Sequence, residues 1–174
     1  MRGAPALPVL LSLAIAAALS APSSATPAPN GGLEYVPHVF PVAGPHGTRG
    51  AIGEFGAPRS GGRTHEGFDI VAACGTELVA ARDGRVRRTG FDPELYGNYV
   101  LIHGAEERRS YFYAHLRRPA TVKKGEVLWT GERIGAVGET GNAHTVGSHL
   151  HFEIHVNGRP IDPEPLLRRW DRYS

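Results

Sequence analysis

The chain has 174 residues, 41% of them hydrophobic, and its 19 basic and 17 acidic side chains leave a formal net charge of +2. That length is one domain by default, long enough to bury a core without stapling, and the balance of charge excludes a large field aimed at nucleic acid. The single Cys excludes an internal disulfide and a Cys-rich zinc finger, so the nine His are the residues to place.

Met1-Arg2 gives a short positive start, and Ala6 to Leu19 is apolar and rich in Ala and Leu. Such a stretch is too short to span a bilayer and suits the core of a signal peptide. Residues 1–25 are therefore expected to be a signal peptide cut after Ala25, with Ala18-Leu19-Ser20 as a second candidate and an uncleaved anchor as the alternative. No Cys lies near this stretch, which argues against a lipid anchor. The Pro- and Ser-rich segment that follows makes residues 26–36 a flexible leader. Residues 37–174 remain as one domain, exported and then free of any membrane span.

The body reads as short strands bounded by Gly, Asn, Asp and Pro. Expected strands are 37–42, 67–72, 77–81, 85–90, 98–103, 109–115, 126–129, 133–137 and 148–156. Many short strands of this kind define an all-β sandwich or open barrel. The one helical signal is Pro163 to Trp170, with an early acid and late Arg suited to the helix dipole.

The segment Ser148-His149-Leu150-His151-Phe152-Glu153-Ile154-His155-Val156 alternates strictly. Leu150, Phe152, Ile154 and Val156 share one face, and His149, His151, Glu153 and His155 share the other. Three His on one strand face are poorly explained by solvation alone. His149 and His151 lie about 7 Å apart and point the same way. They suit two ligands of one metal, or one ligand and one catalytic base, and strand geometry leaves both open.

A second cluster is His65-Glu66-Gly67-Phe68-Asp69. On a straight strand His65 and Asp69 would stand roughly 13 Å apart, too far to share an ion. A bend is needed between them, and Gly67 permits one. Beside a separate H-x-H strand this makes a His, Asp and His set with one position left for water, the pattern of a catalytic zinc. The third element, Tyr111-Phe112-Tyr113-Ala114-His115-Leu116, alternates less cleanly and by itself reads as a packed aromatic strand.

Taken together and in order, these elements resemble the lysostaphin-type zinc metallopeptidases of bacterial cell walls, the duplicated hybrid motif fold. The markers run from Phe40-Pro41-Val42 and Phe55-Gly56 through H-x-G-x-D at His65. They continue with Gly75-Thr76, Asp83-Gly84, Tyr96-Gly97-Asn98 and Tyr113-Ala114-His115-Leu116, and end at Ser148-His149-Leu150-His151. The resemblance implies antiparallel sheets of short strands forming an open groove, closed by one short C-terminal helix. It implies one Zn2+ per chain held by His65, Asp69 and His151, with His115 and His149 as catalytic residues. It also implies a secreted endopeptidase acting on peptidoglycan peptide cross-links, outside the cell or in its envelope.

Some members of that family carry an aromatic residue just upstream of the first ligand; Arg59-Ser60-Gly61-Gly62-Arg63 has none. His144 and Arg63 are candidate substrate contacts, Glu153 a candidate partner orienting a ligand His, and Cys74 a small buried residue beside a turn. His38, His46, His103 and His155 are given no part in the chemistry. Arg outnumbers Lys by 17 to 2, which hints at a GC-rich genome and a wall cross-linked through diaminopimelate. A D,D-endopeptidase is therefore preferred over a glycine-bridge cutter. The alternative is a non-enzymatic wall-binding or amidase-activating module of the same fold. A monomer is expected.

Overall fold

In the computed structural model, residues 38–173 are described, and they lie within the unit Tyr35–Ser174. The expected signal peptide and leader fall outside the described residues. Eleven strands are present in chain order. They are β1 (Val42–Ala43), β2 (His46–Thr48), β3 (Phe68–Ala72), β4 (Glu77–Val79), β5 (Gly84–Asp92) and β6 (Gly97–Gly104). There follow β7 (Arg109–Leu116), β8 (Val127–Leu128), β9 (Arg133–Ala136), β10 (His149–Val156) and β11 (Arg159–Ile161), then helix α1 (Glu164–Trp170).

All pairings are antiparallel, in a large sheet of order β2-β3-β10-β7-β6-β5-β8 and a small one of order β1-β4-β9. Strand β11 pairs with the far half of β10. The core is built from the inward residues of both sheets. Leu78 and Ile134 come from the small one, and Ile102, Tyr111, Tyr113, Leu150, Phe152 and Ile154 from the large one, all fully buried. Each such side chain withdrawn from water contributes roughly 1.5–3 kcal/mol. Helix α1 covers one end by burying Leu167 and Trp170, and its Arg168 bonds Glu164 one turn back.

The expected strands appear, with three differences. The first is short: only Val42–Ala43 pairs, because Pro41 has no N–H to give a ladder, although Phe40 and Val42 still enter the core. Strands β2 and β11 were not expected; both are three residues long, with little apolar signal. Cys74 is exposed, not buried, because it sits at the tip of the β3–β4 turn, where Gly75 takes a φ of 96°.

Candidate active site

Strand β10 is the central rib of the site. Its even residues Leu150, Phe152 and Ile154 lie in the core, and its odd residues His149, His151 and Glu153 are also buried, facing a groove rather than open solvent. Register does the rest. His151 is the direct cross-strand partner of Asp69 on β3 and of Ala114 on β7, so neighbouring side chains on one sheet face meet.

His65 lies just before β3. Its backbone N–H donates to Ala57 O, and its carbonyl accepts from the Gly56 N–H, both at 2.8 Å. The chain bends at Gly67 and brings His65 Nε2 to 3.0 Å from Asp69 Oδ1. Gly67 is required, though for a different reason than expected. Its φ is not positive; instead an added Cβ would stand 2.5 Å from Phe152 O and 2.9 Å from the His151 ring. The glycine allows close approach of β10.

His115 shows why β7 alternates poorly. The β6–β7 register shifts between Asn98 and Val100, where β7 carries one extra residue. His115 takes a φ of 63° there, a sparsely populated region for a non-glycine residue. Strict alternation would turn His115 to the core with Tyr111 and Tyr113. The bulge turns it to the groove and gives the core position to Leu116.

The five residues converge. His65 Nε2 and His151 Nδ1 are 2.8 Å apart, and His151 Nδ1 is 3.2 Å from Asp69 Oδ1. Among the described residues these three form a potential metal-binding group. Two imidazoles and a carboxylate suit zinc, and the separations approach the ~3.3 Å edge of a tetrahedron built on bonds of about 2.0–2.1 Å. The His115 and His149 rings lie beside this group, 4.7 Å apart between centroids.

Each ring has one nitrogen tied to an acceptor, which fixes the other. His65 Nδ1 donates to Glu54 O, His115 Nδ1 to Thr140 O, and His149 Nδ1 to Gly147 O, at 2.8, 2.9 and 2.8 Å. A carbonyl only accepts, so in each neutral ring Nε2 carries the lone pair. For His151 the tied nitrogen is Nε2, 2.7 Å from Glu153 Oε1, leaving Nδ1 toward the centre.

Burial, reinforced by His149 and His151, pushes His115 down to about 3, and burial also lowers His149. Both are therefore neutral near pH 7. His151 goes the other way: burial opposes its charge, but hydrogen bonds to Asp69 and Glu153 raise it to about 9. Asp69 lies well below the usual carboxylate range, because bonds from His151 and His65 outweigh its burial. A metal ion binding here competes with the His151 proton.

The groove has a volume of about 620 Å³. One wall, from residues 49–63, carries Arg49, Ile52, Arg59 and Arg63; the other carries Leu95, Tyr96, Asn142 and Val146. Arg63 thus borders the site. His144 is exposed on the turn that supplies Asn142, bonded to Gly141 O, and does not line the groove. Among the remaining His, His103 bonds Ser110 on the neighbouring strand, His46 stacks on Phe40, His38 stacks on Trp170, and His155 bonds Glu153. Arg49, Arg59 and Tyr96 were not read from the sequence as site residues, although Tyr96 belongs to the Tyr96-Gly97-Asn98 marker. All lie on irregular segments or a turn, where no period marks an inward residue.

An open groove in an antiparallel sheet, with three metal-type donors beside two neutral imidazoles, is the arrangement of a metallopeptidase. The chain belongs to peptidase family M23: the family's model matches residues 63–163, a stretch holding all five of these residues. It is 41% identical over 104 residues to the peptidoglycan DD-endopeptidase ShyC of Vibrio cholerae, covering 60% of this chain and 23% of that protein. It is 34% identical over 137 residues to a lipoprotein NlpD/LppB homolog of Pseudomonas aeruginosa, covering 74% of this chain and 43% of that one. The chain thus spans less than half the length of either relative. Among solved structures, a zinc-containing peptidase from Vibrio cholerae superposes with TM-score 0.63 at 29% identity, covering 73% of this chain and 39% of that one. The catalytic domain of lysostaphin from Staphylococcus simulans gives 0.60 at 28% identity, covering 71% and 92%.

Proposed function

We propose that this chain is an exported zinc-dependent endopeptidase that hydrolyses peptide cross-links of peptidoglycan, as a D,D-endopeptidase. The observation that carries this reading is the meeting of the His65, Asp69 and His151 donor atoms beside two imidazoles held neutral. His65 Nε2, Asp69 Oδ1 and His151 Nδ1 would hold the ion. Zinc, when bound, supplies a Lewis acid for the scissile carbonyl and lowers the pKa of its water.

The chain's own groups then move the proton. His115 and His149 both present a bare Nε2 toward the groove. One takes the attacking water's proton there and later gives it to the leaving amine nitrogen; the other, also with a lone pair at Nε2 and 4.7 Å away between ring centroids, accepts a hydrogen bond from the water and orients it. Asp69, 3.8 Å from His149 Nε2, stabilises an imidazolium that forms. Export rests on the apolar stretch Ala6–Leu19, and sequencing the amino terminus of the mature protein tests it.

Purified protein incubated with sacculi is expected to solubilise them and release free amines. A chelator should stop the reaction and zinc restore it. Solubilisation that persists in His151→Ala overturns the mechanism. The NlpD-like relative supports a second reading, a module that binds wall or activates amidases. Protein that purifies without stoichiometric zinc, and leaves sacculi intact after zinc is added, decides for it.

A further inference from the structure

The basic wall of the groove is not explained by holding an ion. Asp69 divides its two oxygens: Oδ1 faces His65 and His151, while Oδ2 meets Arg49 Nη1 at 3.3 Å and Arg59 Nη2 at 3.5 Å. Both guanidiniums are partly withdrawn from water, their side chains 19% and 26% exposed. Arg63 lines the same side, so three like charges crowd one wall of the groove. Three acids line the groove: Glu153 is engaged by His151 and His155, Glu66 forms no ion pair among the described residues, and Asp69 meets both arginines. One carboxylate, Asp69, is thus shared by two arginines, and its charge would also be drawn on by a dication. A half-buried guanidinium left short of its counter-charge is a site for a planar anion, which it binds bidentately.

We infer that Arg49 and Arg59, with Arg63 at the rim, form a subsite for a free carboxylate on the substrate residue that contributes the scissile amide nitrogen. This rests on the function proposed above and deepens it. The acyl-side residue has spent its α-carboxyl in the bond being cut. The α-carboxylate nearest that bond belongs to the amine-side residue, one carbon from the leaving nitrogen. Two peptidoglycan ends have this arrangement. One is the cross-link from a D-alanyl carbonyl to the amine of a diaminopimelate centre that keeps its own carboxylate. The other is an uncross-linked D-alanyl-D-alanine terminus. A glycine bridge has no such group, so the subsite discriminates against it.

The test is a cycle of substrate against arginine, read as binding rather than turnover. The zinc-loaded His149→Asn protein would be titrated calorimetrically with a D-alanyl–diaminopimelate dimer and with the same dimer amidated at that carboxylate. Peptides ending in D-alanyl-D-alanine, free and amidated, form the second arm. Amidation is expected to weaken binding about 10- to 100-fold, the loss of a charge-assisted pair. Adding Arg59→Gln or Arg49→Gln should abolish that preference, so both forms bind at the weaker level. An amidation penalty confined to the dimer identifies the cross-link as the source; one seen in the second arm identifies the free terminus. Equal binding of acid and amide overturns the subsite. So does an equal loss for both forms in the arginine variants together with weakened zinc affinity by chelator competition, since the arginines would then only position Asp69. If no peptide binds and wild-type protein leaves sacculi intact, the functional reading itself has failed.

Discussion

The Nε2 of His151 lies 2.7 Å from Oε1 of Glu153, so the nitrogen turned toward Asp69 and His65 is Nδ1. Glu153 is 3% exposed, and its pKa is lowered to about 2: burial opposes its charge, but bonds from His151 and His155 prevail. It therefore holds the ring orientation as a full anion. Such carboxylate partners raise ligand basicity, and losing one costs about 10–100-fold in metal affinity. Glu153→Ala is expected to weaken zinc binding by that factor, measured by competition with a chromogenic chelator. Unchanged affinity would show that the strand alone orients His151.

His115 and His149 should behave differently from the three donors. His115→Asn and His149→Asn are expected to keep one zinc per chain while hydrolysis falls about 10²- to 10⁴-fold. Asn suits position 115 because it tolerates the positive φ found there better than most residues. Metal analysis and turnover on the same preparations check this. Loss of zinc in either variant would make that His a ligand.

Gly67→Ala tests the close approach of β10 to the bend. The new Cβ meets a backbone oxygen, Phe152 O, at 2.5 Å, and neither strand can yield without disturbing His151. Overpacking of this kind costs about 1–3 kcal/mol, read as a lower urea midpoint, and zinc affinity should fall with it. Gly47→Ala is the control: nothing lies within 4 Å of its Cβ and its φ is not positive. It should stay within about 0.5 kcal/mol of wild type.

These residues also mark what the sequence could tell. Strand β10 was legible because its period of two runs unbroken over eight residues, and burial of both faces follows from covering that strand. The approach of His65 to Asp69 was legible as a need for a bend, but the register His151↔Asp69 was not, because it depends on pairing between distant segments. The aim of His115 was hidden. A one-residue bulge reverses the face of every residue after it, and Tyr-Phe-Tyr-Ala-His has no residue that announces one. Arg49 and Arg59 were hidden for another reason: irregular segments carry no periodicity, so nothing local separates a guanidinium facing a groove from one facing water. The burial expected of Cys74 failed likewise, because the turn's direction is set by Gly75 beyond it.

Acid sensitivity should be traceable to a site away from the groove. Glu107 accepts from the Tyr111 hydroxyl at 2.5 Å and lies 3.4 Å from His38 Nε2 and 3.5 Å from Arg109 Nη1. Burial works against its ionisation, but the His38 and Tyr111 hydrogen bonds and the charge of Arg109 prevail, and its pKa is lowered. The sign follows. A carboxyl whose folded pKa is depressed stays ionised in the folded chain while the unfolded chain takes up a proton, so acid favours unfolding. The stabilisation is complete above the unfolded value of about 4.3 and is lost as pH falls through the folded pKa. Within that window one proton makes a slope of at most about 1.4 kcal/mol per pH unit. In Glu107→Gln position 107 cannot titrate, so this share of the slope disappears, although Tyr111 still finds an amide oxygen to bond. Urea midpoints of chelated protein, measured from pH 7 down to pH 3, should converge for wild type and variant as the pH falls. Two parallel curves would show that Glu107 carries no folded-state preference for its charge.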